Sequence, residues 1–430
     1  MRRRAGTPGR WGVQTGLVVL VSAVVFVDTV FFSALTPLLP HYVHNLGLSK
    51  AQAGILVASY PIGTLLGAAP SGMLASRVGV RPTVLIGLAA MSVSSFVFGY
   101  AHSFLVLDSA RFVQGVAGAC TWAGGLGWLG AAATTERRGA ALGTAFAAAV
   151  GGALLGPVVG AVASHVGTGR AFAAATVAGG TMMVATLLVA KPPGGTRQTL
   201  RSALPAITEP AIATGLWLTF LAGLALGVLD VLAPLRLNRL GAGALVIAAA
   251  FLGSAAVEVV LSPLVGHLAD RRGRLVPVRL SLIAAVVVSV LAPLLQPAWV
   301  LVALLVIGLP AFGTLFVPAA AMIGDGADRR QLHHGLAYGL GNLAWASGQG
   351  VSAAASGALA QATVDAVPYL LLATAMASTV LFLRNGVRGI EGGTDVREAP
   401  SSAGGRRQAP PEVRSDDRRP GGGNSDGSPR

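Results

Sequence analysis

Twelve long apolar runs, separated by short polar turns, make up most of the chain. Each run is long enough to cross a hydrocarbon core of ~30 Å as a helix rising 1.5 Å per residue. The pattern therefore predicts an all-α membrane protein with twelve transmembrane helices. The runs lie near 16–39, 51–75, 83–100, 103–130, 139–165, 171–190, 212–237, 244–268, 276–295, 298–323, 334–361 and 367–385.

The first run could be taken for a secretory signal peptide. It is too long for the apolar part of such a signal, and it contains Asp28. We therefore predict that it is a retained helix.

The second half of the chain repeats the first at an offset of 194 residues. Gly72 and Gly79, which bracket one basic loop, recur as Gly266 and Gly273. Pro40 recurs as Pro234 at the same offset. A tandem duplication of this kind predicts two pseudo-symmetric six-helix bundles with a substrate path between them.

Composition favours a membrane protein over a soluble one. The 430 residues are 53% hydrophobic and only 11% charged, and the single cysteine, Cys120, lies in an apolar run. These features exclude a disulfide framework or a cysteine-based metal site. The net charge of +14 comes from the short loops, because the tail after residue 390 holds equal numbers of acids and arginines. We therefore expect no nucleic-acid partner.

The basic loops predict the orientation. Before residue 391, the two ends and the even-to-odd loops hold 19 lysines and arginines, and the opposite side holds four. This bias places both termini in the cytoplasm. The predicted organisation is a cytoplasmic N-terminal segment, a first bundle, a cytoplasmic linker, a second bundle and a disordered cytoplasmic tail, at 1–15, 16–190, 191–211, 212–388 and 389–430.

Four ionisable residues lie inside predicted spans: Asp28, Arg111, Asp230 and Glu258. A charge at the centre of a bilayer costs roughly 2.5–3.5 kcal/mol even on lenient scales, so such residues face a cavity and find partners. Helix rise places Asp28 and Arg111 at similar depth. We predict that the four couple proton binding to transport. A static Asp28–Arg111 ion pair that only joins two helices is the alternative, and for Asp230 a solvated position at the mouth is equally acceptable.

Small residues and a proline interrupt the fifth span, at Gly152, Gly156, Pro157 and Gly160. Glycines four residues apart form a groove for a neighbouring helix, and proline removes a helical hydrogen bond. The segment predicts a kinked pivot, or else an ordinary packing seam.

For the basic loops we predict a cytoplasmic gate rather than simple anchoring, formed by Gly72, Arg77, Gly79, Arg81, Gly266, Asp270, Arg271 and Gly273.

Three segments, 72–81, 107–118 and 152–161, resemble motifs of the major facilitator superfamily, and within it the twelve-helix drug:proton antiporters (multidrug efflux). The resemblance implies the major facilitator fold and alternating access without ATP. The 152–161 segment matches the family's antiporter motif, which implies export rather than import. The chain departs at Ser76, where the family usually has aspartate and the second copy keeps Asp270. Acidic positions of related amine carriers appear here as Gly313 and Asn342, so amine specificity does not follow.

The cavity candidates combine aromatic rings with a few amides, which suits a greasy and weakly polar cargo. They are Tyr60, Gln114, Trp122, Tyr338, Asn342, Trp345 and Gln349. For Trp122 and Trp345, a packing or lipid-facing role is the alternative. No cofactor, catalytic residue or metal site is predicted.

The predicted function is export of small amphiphilic compounds, drugs or metabolites, across the cytoplasmic (inner) membrane in exchange for protons. The expected partners are a small-molecule substrate, protons and the lipid bilayer, with the protein acting as a monomer. The alternatives are a major facilitator carrier for a polar metabolite such as a sugar, amino acid or siderophore, and a non-transporting membrane sensor or enzyme.

Overall fold

The structure is a computed structural model that describes residues 9–132, 135–189, 204–332 and 334–385. Residues 1–8 of the N-terminal segment, most of the linker and the tail lie outside this part of the chain. Fifteen α-helices and one short 3-10 helix are present in the described ranges, and no strand is found there.

The first half of the chain contributes seven helices. The first span is made of α1 and α2, and the next five spans are α3 to α7. The bounds are α1 Gly9–Ser33, α2 Leu35–Leu46, α3 Lys50–Val78, α4 Val80–Gly99, α5 Phe104–Ala132, α6 Thr135–Val166 and α7 Thr168–Leu188.

The second half begins with the 3-10 helix Leu204–Thr208 and then repeats the arrangement. Its tenth span is made of three pieces, α11 to α13. The bounds are α8 Pro210–Arg239, α9 Ala244–Arg272, α10 Leu275–Leu291, α11 Ala298–Gly308, α12 Pro310–Gly313, α13 Phe316–Arg329, α14 His334–Ala362 and α15 Ala366–Asn385.

Nine segments of the described chain are long and apolar enough to cross a membrane. The remaining three are α5, α10 and α14. Helix α10 is apolar but has only 17 residues. Helices α5 and α14 have 29 residues each and carry polar side chains within the bundle.

The duplication predicted from sequence is visible in the backbone. Helices α3 and α9 have 29 residues each and begin and end at positions 194 residues apart. The turns before and after them use glycines in the left-handed region, Gly47 and Gly79 in the first copy and Gly241 and Gly273 in the second. Glycine tolerates positive φ because it has no Cβ, so both copies make the same tight turns.

Two spans are interrupted near the middle of the bundle. Helix α1 ends at Ser33, four residues before Pro37, whose ring clashes with the carbonyl of residue 33 in a continuous helix. The tenth span breaks before Pro310, and again four residues before Pro318. Irregular backbone at this depth is tolerated only where protein or a water-filled cavity surrounds it.

Candidate functional site

Asp28 lies in α1 with its carboxylate buried among three helices. The side chain is 4% exposed. Tyr60 Oη of α3 donates to both carboxylate oxygens at 2.9 Å, and Trp122 Nε1 of α5 donates to Oδ2 at 2.9 Å. These hydrogen bonds replace those that water would make, and they fix the carboxylate at the meeting point of α1, α3 and α5.

Arg111 of α5 is 2% exposed and is held by main-chain oxygens of the first span. Its guanidinium donates to the carbonyls of Phe31 and Phe32 and to the side-chain oxygen of Gln114. The last carbonyls of a helix have no partner within the helix, and α1 ends at Ser33. The break in the first span therefore supplies the acceptors that Arg111 uses.

Tyr60 connects the two buried charges. The Arg111 guanidinium carbon lies 5.0 Å from the centre of the Tyr60 ring, and the hydroxyl of the same ring donates to Asp28. No ion pair joins Asp28 to Arg111 in the described part of the chain. The two charges still interact electrostatically. Asp28 and Arg111, which the sequence predicts at similar depth, are therefore linked through one aromatic ring.

Glycines of α5 make room for this arrangement. A Cβ at Gly118 would lie 2.7 Å from the Tyr60 hydroxyl and 3.3 Å from Asp28 Oδ1. A Cβ at Gly115 would lie 2.0 Å from the carbonyl oxygen of Tyr60. Any larger residue would push α3 away from α5 and separate the hydroxyl from the carboxylate.

The second half of the chain contributes Asp230 in α8. Gln349 Nε2 of α14 donates to Asp230 Oδ2 at 2.9 Å, and the Gln349 side chain is fully buried. Arg111 also interacts electrostatically with Asp230. Arg111 thus interacts electrostatically with a carboxylate from each half of the chain.

The four candidate residues of α14 share one face of that helix, because they follow one another at intervals of three and four residues. Trp345 packs edge-on against Phe32 with ring centres 5.6 Å apart, and Tyr338 packs against Phe146 at 5.9 Å. Both ring pairs join the two halves of the chain. Asn342 is partly exposed on the same face as Gln349 and these aromatic residues.

Glu258 lies at the midpoint of α9 and apart from these residues. Its carboxylate rests on Gly313 of α12, where a Cβ would lie 2.0 Å from Oε2. The structure shows no hydrogen bond and no ion pair to this carboxylate within the described ranges. Of the four ionisable residues predicted inside the membrane, Asp28, Arg111 and Asp230 are connected, and Glu258 stands alone.

The glycines of the fifth span pack α6 directly on the first span. A Cβ at Gly152, Gly156 or Gly160 would lie 2.5, 2.6 and 2.1 Å from main-chain oxygens of α1 and of the break that follows it. Pro157 lies inside α6. These contacts place the backbone of α6 against the last turns of α1.

The basic loops make contacts within their own halves of the chain. Arg81 donates to the carbonyls of Thr186 and Leu187 at the end of α7, and Arg274 pairs with Asp325 at 2.6 Å. Arg77 and Arg271 are exposed, and a Cβ at Gly72 would meet nothing within 4 Å. A Cβ at Gly266 would touch only Val317, at 3.8 Å. The side chain of Asp270 lies outside the described residues.

Charged residues join the two halves at the face of the bundle opposite the basic loops. Lys50, at the start of α3, lies 2.5 Å from Asp365, in the turn between α14 and α15, and Arg239 at the end of α8 also pairs with this carboxylate. We call these three residues the Asp365 cluster. Partial burial opposes ionisation of Asp365, but the hydrogen bonds and charges of Arg239 and Lys50 outweigh it and hold its pKa below the ordinary value.

Helices α3 and α14 cross closely just below the Asp365 cluster. A Cβ at Gly54 would lie 2.4 Å from the carbonyl oxygen of Ala353, and one at Gly357 would lie 2.3 Å from the carbonyl oxygen of Lys50. The backbone nitrogen of Ala51 also donates to the side chain of Gln361 at 3.0 Å. Main-chain contacts and ion pairs therefore join the two halves of the chain at the same face.

Sequence reasoning missed several residues of the site. It did not single out Phe32, which packs on Tyr60 with ring centres 4.7 Å apart, or Ser95, which accepts a hydrogen bond from Gln114. The carbonyls that bind Arg111 were missed as well. Pro37 was the available signal, because a proline four residues after Ser33 predicts a break there. The Asp365 cluster carries no signal within any one segment, since its members are far apart in sequence.

The chain was compared with known families and structures. Residues 21–353 match the family model described as Major Facilitator Superfamily. Quinolone resistance protein NorA of Staphylococcus aureus (strain MRSA252) is 30% identical over 130 residues, which is 30% of this chain and 34% of NorA. MFS-type transporter ppzB of Metarhizium rileyi is 28% identical over 159 residues, 36% of this chain and 33% of ppzB. The match thus spans about a third of these curated relatives.

Two solved structures share the fold along nearly their whole length. One is a bacterial homolog of the human lysosomal transporter Spinster, crystallised in an inward-facing and unoccupied conformation. It has a TM-score of 0.63 and 16% identity and covers 89% of this chain and 96% of its own. The other is a mutant form of the nucleoside transporter NupG, with a TM-score of 0.67 and 13% identity over 86% of this chain and 99% of its own. At these identities the likeness concerns the fold alone.

Proposed function

The chain belongs to the Major Facilitator Superfamily, and from that premise we propose that it exports small amphiphilic compounds across the cytoplasmic membrane in exchange for protons. Membership makes it a multi-pass membrane transport protein with the twelve-helix fold and not an enzyme, as the sequence predicted. The cargo, its direction and the proton belong to the proposal.

The arrangement around Asp28 is the observation that supports proton coupling most. The carboxylate accepts hydrogen bonds from Tyr60 and Trp122, and the Arg111 guanidinium lies over the ring of Tyr60. A proton on Asp28 would remove one negative charge beside Arg111 and alter its balance with Asp230. The protonation state of Asp28, in the first half of the chain, would thereby affect the charge balance at Asp230, in the second half.

The aromatic residues between the two halves support an amphiphilic cargo. They come from both halves and form the pairs Phe32–Trp345 and Phe146–Tyr338. Rings with a few amides bind apolar bodies and leave polar groups to fix orientation. The partial match to quinolone resistance protein NorA supports a drug-like compound as one such cargo.

Alternating access gives the contacts at the two faces a role. In our proposal the Asp365 cluster and the α3–α14 crossing close the face opposite the basic loops, and the basic loops gate the other face. The 19-to-4 bias of basic residues supports a cytoplasmic location for that face and for both termini. The two bundles, at 16–190 and 212–388, would rock about α6 where Gly152, Gly156 and Gly160 pack on the first span. One copy of the chain supplies both carboxylates, so we propose that a monomer is sufficient.

Transport in proteoliposomes tests the proposal through Asp28→Asn. The vesicles are given an amphiphilic dye and an imposed pH gradient. We expect vesicles with the wild-type protein to accumulate the dye, and vesicles with the variant to lose this gradient-driven accumulation. Dye-for-dye counterflow needs no proton, so the variant should retain it.

Asp108→Asn is the matched control for this experiment. Asp108 is a second carboxylate of the first half. It accepts a hydrogen bond from Ser59 at 2.5 Å, and no hydrogen bond or ion pair joins it to Tyr60, Trp122 or Arg111 in the described ranges. It should transport as the wild type does. Gradient-driven accumulation by Asp28→Asn at the wild-type rate would refute the coupling role of Asp28, and failure of the wild type to move any dye would refute export of amphiphiles.

A further inference from the structure

Three aromatic rings form a continuous row from the first half of the chain to the second. The ring centres of Trp122 and Phe146 are 5.7 Å apart, and those of Phe146 and Tyr338 are 5.9 Å apart. The rings come from α5, α6 and α14, so Phe146 is the middle member and faces one ring from each half. We call Trp122, Phe146 and Tyr338 the ring triplet.

The ring triplet lies on the basic-loop side of Asp28. Consecutive spans alternate in direction, so α6 and α14 begin, and α5 ends, at the face of the basic loops. Tyr338 and Phe146 are four and eleven residues after the starts of their helices, ~6 Å and ~16 Å along the axes, and Trp122 is ten residues before the end of α5, ~15 Å. The Asp28 carboxylate lies beside Gly118, one turn further from that face than Trp122.

Burial changes across the ring triplet. Asp28 and Tyr60 are each 4% exposed, whereas the three rings of the triplet are all partly exposed. The triplet therefore stands at the boundary between the buried carboxylate and the accessible space on the basic-loop side. Apolar constrictions of this kind close passages by excluding water.

The bonds of the basic loops do not duplicate this closure. Arg81 donates to a carbonyl of α7, and Arg274 pairs with Asp325, so each bond stays within one half of the chain. The ring triplet, by contrast, joins α5 and α6 of the first half to α14 of the second. It is thus placed to block the path between the halves at this depth.

Trp122 connects the ring triplet to Asp28. Its indole N–H donates to Oδ2 at 2.9 Å, while its ring packs against Phe146. Tyr60 of α3 and Arg111 of α5 are charged or titratable side chains that also act on Asp28. A hydrogen bond to an ionised acceptor is roughly twice as strong as a neutral one, so the charge of Asp28 holds Trp122 where it meets Phe146.

We propose that the ring triplet is an inner gate toward the basic-loop face, closed by Phe146 and kept closed by the bond from Trp122 to Asp28. This inference rests on the proposed function, in which the cargo enters from that face. A cargo that moves from there to Asp28 has to part Phe146 from one of its two neighbours. Trp122 is a positioning residue in this arrangement, because it acts through Phe146.

Thiol labelling behind the ring triplet tests this inference. Asn342 of α14 is partly exposed, on the same side of the helix as Tyr338 and one turn further from the basic-loop face. In a Cys120→Ser background with Asn342→Cys, a membrane-impermeant maleimide is applied from the basic-loop face. We expect Phe146→Ala to raise the labelling rate about tenfold, ~1.4 kcal/mol in the closing equilibrium. Phe146→Tyr keeps the ring and should label at the background rate.

Two further variants separate the hydrogen bond of Trp122 from its ring. Trp122→Phe keeps an aromatic side chain but has no N–H to donate to Asp28, so it should label about fivefold faster, as expected for the loss of one hydrogen bond. Asp28→Asn keeps an acceptor oxygen and loses the charge. Its labelling rate should lie between those of the background protein and Trp122→Phe.

The chain offers a matched control for each kind of change. Trp217→Phe removes an indole N–H that donates to Thr379 at 3.2 Å, within the second half of the chain. Phe96→Ala removes a ring whose centre lies 4.9 Å from that of Tyr100, within the first half. Both should label at the background rate. Melting temperatures of all variants check that each is folded.

The labelling needs neither cargo nor a proton gradient, so its outcome is separate from the transport assay. Faster labelling in Phe146→Ala and Trp122→Phe, with both controls at the background rate, supports the inference. A background rate in Phe146→Ala, or equal acceleration in Phe96→Ala, overturns it while export of amphiphiles stands. A wild-type protein that moves no dye counts against export and leaves these labelling rates unchanged.

Discussion

Removing the charge of Asp365 should make the face opposite the basic loops open more often. The side chains of Lys50 and Asp365 are 33% and 11% exposed, and their charged atoms are 2.5 Å apart. Exposed ion pairs contribute 0.2–1 kcal/mol, and the shielded carboxylate places this pair near the upper end, at about 1 kcal/mol. Asp365→Asn keeps the shape of the side chain and loses that energy. Because 1 kcal/mol corresponds to about a fivefold change in an equilibrium, we expect about fivefold more of the open state.

Reaction of a buried thiol measures this change. Thr36 of α2 is buried at 7% exposure, on the first span, which packs against α8. In a Cys120→Ser background with Thr36→Cys, a membrane-impermeant maleimide applied from that face should label the thiol about fivefold faster when Asp365→Asn is added.

Asp325→Asn is the matched control, because it also removes an aspartate–arginine pair, but one whose members both lie in the second half of the chain. Its labelling rate should equal that of the background protein. If Asp365→Asn labels at the background rate, or if Asp325→Asn accelerates labelling as much, the ion pair between the halves does not set the opening equilibrium.

Three further outcomes follow from the same contacts. The pKa of Asp365 lies below its ordinary value of 3.8, so its contribution is complete above that value and is lost only as pH falls through the lowered pKa. The ratio of the Thr36→Cys labelling rates with and without Asp365→Asn should therefore stay constant between about pH 5 and 8. Tyr60→Phe removes the hydrogen bond to Asp28 and should lower the free energy of unfolding by about 1–3 kcal/mol. Gradient-driven transport should be lost as well, and unchanged transport would refute the connection through Tyr60. Gly156→Ala places a Cβ 2.6 Å from a main-chain oxygen and should prevent close packing, whereas Gly143→Ala, which would meet nothing within 4 Å, should melt like the wild type.

Much of the fold could be predicted from sequence, because lipid imposes a simple rule. Backbone groups must be satisfied inside each span, so long apolar runs become helices. The offset of 194 residues also held in the backbone, where α3 and α9 share their length and their flanking glycine turns. The breaks at Ser33 and in the tenth span were harder to predict, although Pro37, Pro310 and Pro318 signal them.

The structure joins several of the candidate residues through connections that the sequence could not predict. Depth along the helices placed Asp28 and Arg111 near one another, yet depth gives no information about rotation. It therefore could not reveal that Tyr60 lies between them, or that carbonyls bind the arginine. Glu258 on Gly313 and the Asp365 cluster depend on segments far apart in sequence, and only the packed bundle brings them together.

The crossing of Gly54 with Gly357 has a mechanical consequence. Its touching surfaces are peptide groups, so no side chain has to change rotamer when α3 and α14 tilt against each other. In the proposed cycle the two helices can therefore part and meet again without any rearrangement of side chains at their contact. A methyl group at either glycine would hold the two helices apart when this face closes, and we expect slower turnover rather than altered cargo choice.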